Sequence, residues 1–281
     1  DRKILYTYDK EVGRLNNGGK PHFENIKQFN EFQTKAFDEI NSQFDEKKVV
    51  LLHGVTSSGK TEIYIHLIKK ALEDHKQVLY LLPEIALTVQ IMERLKRVFG
   101  NRLGIYHSKY SDAERVEIWN KQLSDSPYDV ILGARSAVFL PFTNLGLVII
   151  DEEHETSYKQ QDPAPRYHAR SVAIVLAGLY GAKTLLGTAT PSMESYYNAQ
   201  QGKYGLFDLK KRFAGIELPE IRVVDMKDLQ HRKMMQGPFS PQLLTAINEA
   251  LQNDKQVILF QNQLRLTMNI KQQILLTELK N

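Results

Sequence analysis

Two periods of hydrophobicity take turns along this chain. Val49–His53 is an apolar, β-branched run of the kind that forms a strand buried on both faces. Behind it, Thr61–Leu72 carries apolar residues at helical spacing. The pair recurs as Val78–Leu82 with Ala86–Phe99, and as Leu103–Tyr106 with Asp112–Leu123. Strands are then predicted at Val130–Gly133 and Leu147–Asp151, a helix at Ser171–Tyr180, a strand at Thr184–Gly187 and a helix at Ser192–Ala199. Short apolar strands alternating with longer helices predict an α/β fold, a parallel sheet with helices on both faces. The alternation is lost near Gln201-Gly202.

The flanks follow other rules. Asp1–Lys20 is polar and runs into Asn16-Asn17-Gly18-Gly19, so residues 1–22 read as an arm or linker ahead of a lobe over 23–206. Lys210–Pro241 is rich in Gly, Pro and charge, which makes 207–240 a connecting segment, with one strand expected at Ile221–Val224. Pro241–Asn253 predicts a helix and Gln256–Phe260 a buried-type strand, as though a second α/β unit began over 241–281. The tail Leu264–Leu279 has helical apolar spacing.

With 42% hydrophobic and 25% charged residues among 281, there is material for a core, and wholesale disorder is excluded. The absence of cysteine excludes disulfides, thiolate catalysis and cysteine-ligated zinc in this segment. No apolar run approaches the roughly 18 residues of a membrane span, and no leader opens the chain, which starts at Asp1. A cytosolic fragment of something longer is the expectation. The net charge is +4, and its distribution matters more than its size. Thr156–Met235 holds twelve Lys and Arg against seven Asp and Glu, so this stretch carries the whole surplus. That suits a face that meets a polyanion, and equally a solvated basic surface.

Candidate chemistry begins with Gly54-Val55-Thr56-Ser57-Ser58-Gly59-Lys60-Thr61, which fits G-x-x-x-x-G-K-[ST] and lies between an apolar strand and a helix. Glycines let backbone N–H groups face a phosphate chain, and the helix N-terminus adds partial positive charge. Gly54, Thr56, Ser58, Gly59, Lys60, Thr61 and Glu62 are the expected nucleotide-binding residues. Lys60 is aimed at the β- and γ-phosphates, and Thr61 offers Mg²⁺ a hydroxyl.

The second signal is Leu147-Val148-Ile149-Ile150-Asp151-Glu152-Glu153-His154. Its acids sit at the C-terminal edge of a strand, where open α/β sheets bind ligands. Asp151 is the expected Mg²⁺ residue with Thr61, and Glu152 is placed to polarise an attacking water. Acids after a strand also suit the start of a following helix.

Asp151–His154 resembles the DEAD/DEAH-type signature of superfamily 2 helicases, and Gly187-Thr188-Ala189-Thr190-Pro191-Ser192 resembles their motif III. That resemblance gives His154 a catalytic role and Thr188, Ala189 and Thr190 a coupling role between nucleotide and DNA. It also implies an adenine-reading glutamine, for which Gln33 stands 27 residues before Lys60. Asn30 and Gln33 equally fit a helix capping box, and both readings stay open.

Leu82-Pro83-Glu84-Ile85-Ala86-Leu87-Thr88, His107-Ser108 and Gly133-Ala134-Arg135-Ser136-Ala137 are similar to DNA-facing motifs of the PriA family, bacterial replication-restart helicases. Thr156–Ser171, with Tyr158-Lys159-Gln160 and Arg166-Tyr167-His168-Ala169-Arg170, resembles that family's aromatic-rich loop, shared in kind with RecQ-type helicases. The resemblance covers about residues 23 to 262 and implies a RecA-like P-loop NTPase lobe. Its implied DNA-binding residues are Thr88, His107, Ser108, Arg135, Tyr158, Lys159, Arg166, Tyr167 and Arg170. Rings and guanidinium planes stack on bases without reading sequence, and Lys and Arg add salt-dependent phosphate contacts. An aromatic-bearing loop packed on the body is the competing reading, and His53 and His107 serve equally well as structural histidines.

The family pattern stops after Gln261-Asn262, where paired arginines, zinc-binding cysteines and the rest of a second lobe are expected. Family DNA-binding domains ahead of the lobe are missing too, apart from a remnant expected in Ile4–Leu15. The resemblance implies an ATP-dependent 3′–5′ DNA helicase, here mainly its first lobe, weak or inactive in isolation. Cofactors would be ATP and Mg²⁺, with zinc only in the full-length family member. Partners would be single-stranded and forked DNA, single-stranded-DNA-binding protein and other primosome proteins, with no membrane. The location would be the bacterial cytoplasm, at the nucleoid. A non-catalytic nucleotide- and DNA-binding module, or a double-stranded-DNA translocase motor, are the alternatives.

Overall fold

The computed structural model of the chain describes residues 22–23, 26–55, 58–83, 89–107, 110–209 and 220–260. Among the described residues, seven strands form one sheet: β1 (Val49–Gly54), β2 (Gln77–Leu81), β3 (Leu103–Tyr106), β4 (Val130–Gly133), β5 (Leu145–Asp151), β6 (Lys183–Thr188) and β7 (Gly205–Leu209). Neighbouring strands are parallel throughout, in the order β3-β4-β2-β5-β6-β1-β7. Parallel neighbours need long crossovers. The helices among them are α1 (Glu31–Glu46), α2 (Lys60–Glu73), α3 (Val89–Phe99), α4 (Asp112–Leu123), α5 (Ala169–Tyr180) and α6 (Met193–Gln200).

Each strand feeds two cores. Val50, Leu52, Val78, Tyr80 and Ile149 join buried residues of α1, α2 and α3 on one face. Val49, Leu51, Leu79, Val148 and Ile150 join α5, α6 and Ile118 of α4 on the other. Burial on both faces is why these strands read as unbroken apolar runs. Ala169, Ala173 and Ala177 form the buried stripe of α5, and their small side chains let that helix lie close on the sheet. The predicted α/β sheet, covered on both sides, is the architecture observed.

Within the sheet and the helices that cover it, two of the described elements escaped the hydrophobic pattern. α1 buries Ala36, Ile40 and Phe44 at four-residue spacing, behind a capping box formed by Asn30 and Gln33. β7 pairs with β1 along the sheet edge and carries the sheet to Leu209, past the expected end at 206. An edge strand is covered less completely, and here Leu206 and Phe207 are only partly buried beside an exposed Asp208. Its apolar signal is correspondingly weak.

The chain folds as two compact units, Asp1–Glu217 and Leu218–Asn281. The second contains α7 (Met226–His231) and α8 (Pro241–Gln252), the latter capped by the Ser240 hydroxyl and opened by Pro241. The strands expected at Ile221–Val224 and Gln256–Phe260 are not formed. Both segments are unpaired among the described residues, with Val223 and Ile258 more than nine-tenths exposed. A β-branched run becomes a strand only when a neighbour takes up its N–H and C=O groups. Residues 1–21 of the predicted arm (1–22), Leu264–Leu279 and residues 86–88 of the helix expected at Ala86–Phe99 lie outside the described residues. Among the described residues, no helix is long and apolar enough to cross a membrane.

Candidate nucleotide site and its neighbouring loop

The strand order brings distant motifs together. β6 lies between β5 and β1, so the ends of all three strands adjoin at one sheet edge. Asp151 is in register with Gly187, and His53 with Thr188. The P-loop, the acidic run and Gly187–Thr190 therefore meet at the carboxyl ends of parallel strands, the usual ligand crevice of an open α/β sheet.

Gly59 opens α2 with φ +84°, a left-handed conformation that glycine adopts freely, and a Cβ there would run into the Gln33 amide. Lys60 is buried, donates to the Gly54 carbonyl at 2.7 Å and lies 4.0 Å from Glu152 Oε1. Ser58 Oγ is buried without a hydrogen-bond partner among the described residues. A polar atom stranded inside a phosphate loop fits a site whose remaining acceptors come with the ligand. Thr61 sits in the first turn of α2. Thr56 lies outside the described residues. Glu62 faces another way, in an ion pair with Arg94 of α3.

The capping box is the reading of Gln33 that is observed. Its Oε1 accepts the Asn30 N–H at 3.0 Å, while Asn30 Oδ1 accepts the Gln33 N–H at 2.9 Å. The capping box therefore uses only the carbonyl end of the amide. Nε2 donates to Gly59 O at 3.3 Å, which ties α1 to the P-loop.

Across the crevice, Asp151 Oδ1 accepts hydrogen bonds from Tyr64 Oη at 2.9 Å and from the Glu152 N–H at 3.1 Å. Burial, and then the charge of Glu152, push the Asp151 carboxyl up to about 6, against the opposing pull of Tyr64 and Lys60. The Tyr64, Tyr80 and Tyr158 hydroxyls are themselves raised well above the usual phenol value, by burial first and then by Asp151. Tyr64 was not singled out from the sequence. The available signal was spacing, since Thr61 and Tyr64 are three apart on one helix and share a face. A Cβ at Gly187 would overlap the Tyr64 hydroxyl, so that glycine makes room for the contact. Glu152 has φ +47°, a strained conformation for a residue with a side chain.

His154 links this edge to the next motif. Its Nδ1 is 2.7 Å from Thr188 Oγ1, its Nε2 is 3.3 Å from Thr190 Oγ1, and Thr190 N donates back to Thr188 Oγ1 at 3.1 Å. Ala189 lies between the two threonines. Glu153 points elsewhere. It is fully buried and accepts from Ser192 N (2.7 Å), Ser192 Oγ (3.0 Å), Ser195 Oγ (2.8 Å) and Arg170 Nη1.

These contacts revise the loop that follows. Tyr158, expected to stack on DNA, is fully buried and donates to the Asp151 carbonyl at 2.7 Å, so no face of its ring is open to a base. Arg170, expected to meet a phosphate, is nearly buried and committed to Glu153. A buried carboxylate needs that charge nearby, and the arginine is spent on it. Between them, Lys159 and His168 form an antiparallel bridge, and the Lys159 amine reaches the Arg166 carbonyl. Arg135 braces the base of the loop through Ser157 O (3.2 Å) and Lys159 O (3.1 Å). Tyr167 is half-buried in a T-shaped contact with Phe139, ring centroids 4.8 Å apart. Arg166 is exposed and paired with Asp162 at 3.1 Å. His107 packs on Tyr110, centroids 4.1 Å apart, and His53 pairs with Asp208 at 2.9 Å. Thr88 and Ser108 lie outside the described residues.

A family model described as DEAD/DEAH box helicase matches residues 30–199. The chain is 44% identical to the replication restart protein PriA of Bacillus subtilis over 82% of its own length and 28% of that protein. It is 42% identical to the PriA of Haemophilus influenzae over 89% of its length and 33% of that protein. Among solved structures, the DUF1998 helicase MrfA aligns with a TM-score of 0.52 at 18% identity, over 92% of this chain and 39% of that one, a likeness of fold. The chain thus spans about a third of the length of the curated relatives it matches.

Proposed function

Since this chain belongs to the DEAD/DEAH box helicase family, we propose that it is the first motor lobe of an ATP-driven DNA helicase. ATP would bind at Gly54–Thr61, and its hydrolysis would drive 3′–5′ movement on single-stranded DNA. The observation that carries the reading is the meeting of Lys60, Asp151, Glu152 and His154 at one strand edge, with His154 bonded onward to Thr188.

Each residue has a task that follows from its position. The P-loop amides and Lys60 bind the phosphates, and Lys60 exchanges its present partner, Gly54 O, for them. Thr61 and Asp151 would hold Mg²⁺. A hydroxyl and one carboxylate, without a cluster of three or more His, Asp or Glu among the described residues, suit a cation that takes its other ligands from phosphates and water. When bound, the cation neutralises charge on the transferring phosphoryl group. Glu152 orients the attacking water and accepts its proton. Thr188, Ala189 and Thr190 relay the state of the acids through His154. Gln33 reports adenine occupancy to the P-loop through Gly59.

DNA would lie along the loop side, held by Lys159, Arg166 and Tyr167, together with Arg135, His107, Thr88 and Ser108. The proposed division is an arm (1–22), the ATP-binding lobe (23–206, with its sheet continued by β7 to Leu209), a connector up to 240 and the start of a second lobe (241–281). The similarity to PriA supports a role in replication restart, in the bacterial cytoplasm at the nucleoid, on forked DNA and with single-stranded-DNA-binding and primosome proteins.

Calorimetric titration with ADP and ATP tests the site. Lys60→Ala removes a charge-assisted contact worth roughly 1.5–3 kcal/mol, so affinity should fall about 10- to 100-fold. Equal affinity in the variant would overturn the reading.

A further inference from the structure

We propose that Tyr64 is a positioning residue for the divalent cation, an inference that rests on the nucleotide site described above. Two hydrogen bonds among the described residues land on Oδ1 of the Asp151 carboxylate, one from the Tyr64 hydroxyl and one from the Glu152 N–H. Oδ2 carries neither of them. A carboxylate held at one oxygen cannot rotate freely, and the other oxygen keeps a fixed direction. Partners of this kind, one bond away from a metal ligand, set its orientation.

The arrangement is specific in three ways. Tyr64 is on α2, one turn past Thr61, so the helix that supplies the hydroxyl ligand also steers the carboxylate ligand. The two donor groups of the cation site are thereby locked to one rigid element. The Tyr64 ring is fully buried and meets Tyr80 edge-on, centroids 5.6 Å apart, which fixes where its hydroxyl ends. The hydroxyl also occupies the space that a side chain at residue 187 would take, so Gly187, on the next strand, is part of the same device.

Tyr64→Phe removes one oxygen atom and keeps the ring. The probe is ADP, titrated into the chain by calorimetry in EDTA and across a magnesium series. In wild type, magnesium should raise ADP affinity. In Tyr64→Phe, affinity in EDTA should stay at the wild-type value, while the magnesium concentration giving half of the gain should rise roughly tenfold. Ile63→Val, a buried neighbour on the same helix, controls for packing and should leave the magnesium midpoint unchanged. An unchanged midpoint in Tyr64→Phe would overturn the inference alone. So would a loss of ADP affinity equal in EDTA and in magnesium, because Tyr64 would then act on the P-loop. No magnesium-dependent gain in wild type would overturn the cation site itself.

Discussion

Asp151 and Glu153 are two residues apart in one acidic run, and their surroundings are opposite. Glu153 is fully buried, and its carboxylate receives two serine hydroxyls, one backbone N–H and an arginine. Asp151 accepts two hydrogen bonds on one oxygen, from Tyr64 and the Glu152 N–H among the described residues, and burial drives its carboxyl up to about 6. The first environment satisfies its charge and fastens the acidic run to α5 and to the start of α6. The second leaves charge only partly compensated, near a lysine resting on a carbonyl and a buried serine hydroxyl without a partner among the described residues. Polar groups left short of partners inside a structure cost stability, and they persist where a ligand completes them. By that measure the edge proposed to bind nucleotide has the character of a ligand site, and the Glu153 junction that of its support.

The sharpest way to break this contrast is Arg170→Ala. It would strand the buried Glu153 carboxylate, and removing one partner of such a pair typically costs about 3–5 kcal/mol. Urea unfolding measures this, and a loss below about 1 kcal/mol would mean the junction is not the support described. Asp151→Asn should have the opposite sign. A native pKa raised above the unfolded value of roughly 3.9 means that the charged form is disfavoured by folding. That penalty is present above about pH 6 and disappears as the pH falls toward 4. The asparagine variant of the nucleotide-free chain should thus be more stable than wild type by roughly 1–3 kcal/mol at pH 7. The advantage should shrink to nothing near pH 4. Equal stability at pH 7 would remove the cost assigned to Asp151. The smallest effect on folding belongs to Arg166→Ala, whose side chain is exposed. Unfolding should not move, whereas the salt slope of log K for single-stranded DNA should drop by about 0.7 in anisotropy titrations. A slope unchanged by Arg166→Ala would take that residue out of the DNA face.

The loop 158–170 shows how the same residue types divide between the two kinds of environment. Tyrosines and arginines after an acidic motif point to stacking and phosphate contacts, and the basic surplus of that stretch points the same way. Yet Tyr158 caps the Asp151 carbonyl from the core, and Arg170 is committed to Glu153. Only Lys159, Arg166 and Tyr167 remain toward the outer part of the loop. Charge counting had no means of separating these groups, because it does not reveal which charges are already matched within the fold.

The order of residues alone determined the parallel α/β sheet, since strands buried on both faces must be continuously apolar and their crossovers must be amphipathic helices. It also determined the P-loop, because a strand–glycine–lysine–helix sequence makes its geometry from local backbone alone. The meeting of Asp151, Gly187 and Lys60 at one edge was decided by tertiary structure, through a strand order in which β6 lies between β5 and β1. Tyr64 on Asp151 and Arg170 on Glu153 were decided there too, as was the bond from Gln33 to Gly59 O. Each depends on a distance between segments far apart in the chain, and side-chain partnership is set by that distance. The failed strands at Ile221–Val224 and Gln256–Phe260 have the same cause. Their residues favour a strand, but a strand exists only beside another, and among the described residues none lies alongside them.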